Sequence, residues 1–245
     1  MEEAIARRVR LQLEDVKQLA FANRVHAAEL VLPDLLHACR GAIDSHVSKA
    51  CAVLGAWDMR ADLDSRGAVL FREYWKAAAT IPGKWAIPFD PNDPVNTPRG
   101  IRPAALPAML AGLKPAAQKL EEMSIPLDAR LGDYQVETRN GLRVSIHGAI
   151  GDVDGSYNSI HMSRDLDRAG YGNVRWGTSY VQAVGFDDAG PVAQGMLLYG
   201  QSVDPASQYY SDQLPMYSQK RWVDLPFTET RIKADPSYKL SVISE

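Results

Sequence analysis

The spacing of apolar and polar residues changes period near residue 125. Before it the pattern is helical. Ile5, Val9, Val16, Leu19 and Ala20 recur on one side of a turn of 3.6 residues, with Arg7, Arg8, Glu14, Asp15 and Lys17 mostly off that stripe. Pro33 suits the first turn of a helix that carries Leu35, Leu36 and Cys39, and Gly41 ends it. Ser45 is placed to cap the next helix, which turns Val47, Cys51 and Leu54 inward. Asp64 or Ser65 caps a further one through Val69, Leu70, Tyr74 and Trp75. Six prolines between Pro82 and Pro103 exclude a continuous helix or a central strand there. Ala104 to Met123 returns to helix, with Pro115 expected to split it.

From Ile125 the period shortens to two. Asp133 to Thr138 predicts a strand, Asn140-Gly141 a tight hairpin turn, and Leu142 to His147 the returning strand. Tyr157 to Met162 predicts a short strand, and Asp165 to Gly172 a loop. In Ser179 to Phe186, Tyr180, Gln182, Val184 and Phe186 alternate with Ser179, Val181, Ala183 and Gly185. Neither set carries charge, which predicts a strand buried on both faces. Asp187 to Pro191 turns the chain, Val192 to Tyr199 runs back, and Gly200 to Gln213 forms a long polar loop of the kind that is either functional or anchored by something else. Lys233 to Pro236 ends the last short helix. The expected class is α+β, with a mainly helical segment over 1–124 and a mainly antiparallel β segment over 125–245. The two segments are expected to be parts of one larger domain.

Composition narrows the function classes. With 245 residues and an apolar fraction of 46%, the chain can bury a substantial core. A net charge of −3 favours neither nucleic acid nor an anionic membrane as partner. No apolar run approaches the roughly 20 residues of a membrane span. Met1 to Arg8 is charged and lacks the apolar core of a secretory signal, so a chain made from Met1 is expected in the cytoplasm. Cys39 and Cys51 either close a short loop between two helices or stand as buried free thiols.

Several stretches carry a resemblance. Gly177-Thr178-Ser179-Tyr180, Asp204-Pro205-Ala206-Ser207, Tyr210-Ser211-Asp212-Gln213, Trp222 and Leu225-Pro226-Phe227-Thr228-Glu229 resemble the C-terminal end of the penicillin acylase family. Within that family they look like the acyl-homoserine lactone and aculeacin acylases. Cys51 to Asp58 and Leu63 to Trp75 resemble that family's helical segment before the return to the sheet. The family has Pro-His-Tyr where this chain has Gln208-Tyr209-Tyr210. The resemblance implies the C-terminal part of an αββα N-terminal-nucleophile hydrolase that cleaves an acyl group from an amine. In such enzymes a serine freed by cleavage attacks the carbonyl, its own α-amino group acts as base, and backbone and Asn donors hold the oxyanion. Those groups lie upstream of the matching region, so no catalytic residue is assigned here and the chain is expected to be inactive alone; the alternatives are a non-catalytic acyl-ligand binding module that kept the sheet and a stand-alone hydrolase with a different site. The implied partners are the missing N-terminal part of the acylase and an acylated small-molecule amide. No cofactor is implied. The family's setting is periplasmic or secreted, and in that oxidising compartment Cys39 and Cys51 are expected to pair.

Other candidate groups have ordinary readings. Gly155-Ser156 matches the Gly-Ser of a processing site but falls in a segment matching a downstream part of the family, and reads as a glycine turn. Asp152-Val153-Asp154-Gly155 starts like a calcium loop but lacks the closing Glu, so no metal site is expected there. His147 has no readable nucleophile or orienting acid and reads as a packed strand histidine. His26, His37, His46 and His161 have no metal-ligand spacing. Asp58, Asp62 and Asp64 read as a solvated surface with local ion pairs to Arg60 and Arg66. Tyr209, Tyr210, Tyr217 and Trp222 are expected to pin the polar loop rather than floor a cleft.

Overall fold

The structure is a computed structural model and describes residues 11–243. Ile5 and Val9 of the first stripe, and the flanking Arg7 and Arg8, lie outside the described residues. Helices and antiparallel strands share the chain, so the class is α+β. By compactness the chain divides into 22–177 on one hand and 11–21 with 178–243 on the other.

Within 22–177 the core is helical. His26–Cys39, Ser45–Ala56, Ala68–Ala78 and Leu113–Glu122 bury Val31, Leu32, Leu35, Leu54, Leu70, Phe71, Leu113 and Leu120 together. Pro33 sits inside His26–Cys39 rather than in its first turn, because the apolar face begins at Ala27 and Ala28 and packing outweighs the lost N–H. Asp44, not Ser45, caps Ser45–Ala56: its carboxylate accepts from the His46 and Val47 amides. Gly67, at φ 125°, precedes Ala68–Ala78 in place of a side-chain cap at Asp64 or Ser65. The break in the later helical stretch falls at Gly112, between Leu106–Ala111 and Leu113–Glu122. Pro115 is early enough in the second helix to be accommodated in its first turn.

The proline-rich connector forms a small hairpin, Trp85–Ile87 with Arg99–Ile101. Val136–Arg139 pairs with Leu142–Ser145 around Asn140 and Gly141, at φ 48° and 77°, the left-handed pair that a two-residue hairpin turn requires. The first half of the expected Asp133 strand is instead a helical turn, Leu131–Tyr134. Ile160–Met162 pairs with Val174–Gly177. Cys39 and Cys51 form a disulfide, with Cα atoms 6.1 Å apart, joining the first two helices of this unit.

The other unit is a three-stranded antiparallel sheet in the order Tyr180–Asp187, Gly190–Leu197, Val223–Leu225. Its face carrying Ala183, Met196 and Leu198 is buried, and Leu13–Ala20 and Leu214–Ser218 pack on the sheet. The expectation of burial on both faces fails. Tyr180, Val184 and Phe186 are 53%, 47% and 77% exposed, because nothing among the described residues covers their side. The long loop is anchored through its ends: Gln213 N donates to Tyr199 O at 2.9 Å, and Leu197 N donates to Gln213 Oε1 at 2.9 Å. Tyr217 and Trp222 pack on Phe21, with ring centres 5.6 and 5.3 Å away, while Tyr209 stays half exposed.

Candidate functional site

The polar groups with the most unusual surroundings gather around Ala68–Ala78 in the 22–177 unit. This helix is buried on nearly every side, so Arg72 and Glu73 enter the core instead of water. A buried guanidinium needs compensating partners. Arg72 Nη1 donates to Gln135 Oε1 at 2.6 Å, and Nη2 to Gly148 O at 3.4 Å. Gln135, fully buried, returns its amide to Ile146 O at 2.8 Å and Gly148 O at 2.9 Å. The guanidinium lies 4.8 Å over the ring of Tyr171, whose hydroxyl donates to Glu73 Oε1 at 3.0 Å. Glu73 also meets Lys76 at 3.0 Å and Lys119 at 2.6 Å.

Electrostatics follow from that packing. Burial pushes the Glu73 carboxyl up, but the Lys119 hydrogen bond and the Lys76 charge outweigh it and hold it below its ordinary value. Asp154 goes the other way. Burial raises it, and the nearest cation, Arg72 Nε, is 4.0 Å from its Oδ2. Burial raises the Tyr171 phenol strongly. His161 is lowered by desolvation, against the pull of Asp152 and Asp154. Its Nε2 is buried without a hydrogen-bond partner among the described residues, 3.7 Å from Asp152 Oδ1, and its ring stacks on Trp176 at 3.5 Å.

Between these groups lies a cavity of about 200 Å³ lined by Arg72, Lys76, Ile150, His161, Met162, Arg164, Asp165 and Tyr171. Its cations are already engaged: Lys76 by Asp165 at 2.8 Å and Arg164 by Asp167 at 3.3 Å. The lining holds no Ser, Thr or Cys, and the Tyr171 hydroxyl is committed to Glu73. It is a polar recess without the nucleophile–base pair that acyl transfer needs.

The remaining sequence candidates are placed as follows. His147 is fully buried, with Nδ1 3.0 Å from Asn158 Nδ2 and 3.1 Å from Asn23 Nδ2, in a network that continues from Asn23 to Asp62 at 2.6 Å. Ser156 is buried and donates to Asn158 O at 3.2 Å. Gly155, at φ 69°, ends the helical turn Gly151–Asp154. Asp152 is exposed, whereas Asp154 is buried and accepts from Ile150 N at 2.9 Å. Among the described residues no group of three or more His, Cys, Asp or Glu is arranged to hold a metal. Arg60 and Arg66 do not pair with the neighbouring aspartates as expected. Arg60 reaches Ala22 O at 3.0 Å and Arg66 reaches Asp128 at 3.3 Å, while Asp58 serves turn hydrogen bonds to Arg60 N and Ser65 Oγ. Sequence reading missed Arg72 and Gln135, and took Asp154 only as part of an incomplete calcium loop. Arg72 and Gln135 are 63 residues apart, and the only local hint was the adjacent charged pair Arg72-Glu73 inside a largely apolar helix.

Comparison with known proteins gives these features a family. Residues 1–234 match the model of the penicillin amidase family, and the chain belongs to it. The chain is 37% identical over 243 residues to an acyl-homoserine lactone acylase PvdQ of Pseudomonas syringae pv. syringae, covering 96% of this chain and 31% of that protein. It is 35% identical over 237 residues to the aculeacin-A acylase of Actinoplanes utahensis, covering 93% of this chain and 29% of that protein. The chain thus spans about a third of the length of the relatives it matches. A thermostable penicillin G acylase from Alcaligenes faecalis aligns with a TM-score of 0.42 at 18% identity, over 89% of this chain and 46% of that one.

Proposed function

We propose that this chain is the C-terminal part of an acylase that removes an acyl group from an amine, and that it is inactive until the rest of the enzyme joins it. The observation that carries this is the sheet of the 178–243 unit. One face is buried, while the other presents Tyr180, Val184, Phe186 and Val223 to solvent without a charged side chain among them. An apolar patch of this kind marks a surface meant to be covered. The cavity beside Arg72, with no nucleophile in its lining, supports the second half of the proposal. The helical and β segments are then parts of one larger domain, and the substrate is an acylated small-molecule amide. The Cys39–Cys51 disulfide is in keeping with a periplasmic or secreted setting.

The test is hydrolysis of a long-chain acyl-homoserine lactone and of a phenylacetyl amide, with intact mass recorded. The chain is assayed alone and after co-production with the upstream portion of the Pseudomonas syringae relative. Activity only in the co-produced sample is expected. Turnover by the chain alone would overturn the proposal, and cleavage before Ser156 in that sample would identify Ser156 as the nucleophile.

A further inference from the structure

The charges around the recess beside Ala68–Ala78 are not all matched by contact. Lys76 bonds Asp165 at 2.8 Å and meets Glu73 at 3.0 Å, Lys119 meets Glu73 at 2.6 Å, and Arg164 meets Asp167 at 3.3 Å. Each of these three cations touches a carboxylate. Arg72 does not. Its hydrogen bonds go to two neutral oxygens, Gln135 Oε1 and Gly148 O. Among the described residues its nearest carboxylate oxygen is Asp154 Oδ2, 4.0 Å from Nε and beyond hydrogen-bond reach. Burial also favours the neutral form of that acid. A guanidinium taken out of water in this way is short of one anion.

A second polar group of the same recess is unsatisfied. His161 Nε2 is buried and meets no hydrogen-bond partner among the described residues, and His161 lines the recess together with Arg72. With its proton on Nε2 the imidazole is a donor, and the guanidinium carries donors in a planar fork. That pair suits a planar, singly charged acceptor. Ile150, Met162 and the Tyr171 ring supply an apolar wall. Small organic ligands bind in concavities of this kind, apolar with a few placed polar groups. Cavities of about 150 Å³ take up benzene, so the recess, at about 200 Å³, has room for an aromatic ring with an acid group.

We infer that this recess binds a small organic monocarboxylate, its acid group held by Arg72 and His161 and its apolar part against Ile150 and Met162. One cation without a hydrogen-bonded anion matches one negative charge, which favours a carboxylate over a phosphate. The inference goes beyond the proposed function. It needs no catalytic group, and every residue it uses lies within 22–177.

The experiment is calorimetric titration of the full chain with benzoate, with nitrogen-15 spectra of the histidine rings recorded alongside. Saturable binding with a dissociation constant below about 1 mM is expected. The His161 Nε2 signal should move along the same curve. Acetate leaves Ile150 and Met162 uncovered and should bind at least about tenfold more weakly. Inorganic phosphate should not displace benzoate. His161→Phe keeps a ring against Trp176 and removes the donor, so it should weaken benzoate by at least about tenfold. Arg72→Lys keeps the charge, loses the fork and should act in the same direction. If Arg72→Lys does not fold, His161→Phe and the wild-type spectra still read the site. An absence of saturable binding would overturn the inference. So would binding that leaves the His161 Nε2 signal in place or is unchanged by His161→Phe. Phosphate competing as strongly as benzoate would overturn the assignment to a monocarboxylate. None of these results touches the acylase reading, which fails instead on turnover by the chain alone.

Discussion

The guanidinium of Arg72 lies 4.8 Å from the centre of the Tyr171 ring, and the Tyr171 hydroxyl donates to the residue next to Arg72, Glu73. One helix thus sends a cation and an anion into the core, and a single tyrosine receives both. Tyr171→Phe keeps the ring under Arg72 but leaves Glu73 Oε1 with one donor fewer. The expected loss is about 1–3 kcal/mol, since hydrogen bonds to charged groups lie at the upper end of the usual range. Arg72→Met leaves Gln135 Oε1 without its donor and Asp154 without its nearest cation. About 3–5 kcal/mol is expected, the usual cost of breaking a buried charged network from one side. Urea unfolding of both variants checks the order.

His161 and Glu73 both contribute to the acid limb of stability. Both are lowered in the folded state, so each contributes stability above its unfolded value that is lost as pH falls through the folded one. For His161 the decline begins below the ordinary value of 6.5, and for Glu73 below 4.5. Asp154 has the opposite sign. It is raised, so its contribution is complete below its ordinary 3.8 and is lost as pH rises through the folded value. Urea midpoints measured against pH should show His161→Gln removing the first decline and Asp154→Asn removing the loss on the rising side.

The Cys39–Cys51 link closes a segment with a sequence separation of 12. The chain-entropy relation for a loop of that size gives about 3 kcal/mol. The double Ser variant should fold with that loss, and dithiothreitol should lower the wild-type midpoint toward the variant's and leave the variant unchanged.

Gly67 is a site where a methyl group is costly. Its φ is 125°, and an added Cβ would sit 2.7 Å from Trp57 Cβ and Cγ. Trp57 is held in place by its Nε1 donation to Arg60 O at 2.9 Å, so neither residue yields cheaply. Gly67→Ala should cost about 2–4 kcal/mol, combining backbone strain and overpacking. By contrast Gly41→Ala meets nothing within 4 Å and should change stability little. Thermal unfolding of the pair checks the contrast.

How far the chain could be read depended on distance along it. The Asn140-Gly141 hairpin was legible because a two-residue turn and its flanking alternation are local. The helix bounds were legible to within a few residues. Their caps were not: Asp44 and Gly67 displaced Ser45 and Asp64 or Ser65, because the competing choices differ by little in local energy and packing selects among them. The uncharged alternation of Tyr180 to Phe186 predicts burial on both faces, yet one face is exposed, because lack of charge along a strand does not by itself decide which face the fold covers.

By itself, then, the sequence determined the change from helical to two-residue period, the hairpin turn, the anchored polar loop and the family signature between Gly177 and Glu229. All of these depend on residues close together or on motif identity. Only the tertiary structure decided that Arg72 meets Gln135, that Asn158 and Asn23 converge on His147, and that Asp154 is left with a cation 4.0 Å away. Those pairings join residues 11 to 124 positions apart or, for Asp154, on different elements. Burial makes each of them necessary, because a polar group removed from water must find its partner wherever the fold delivers one.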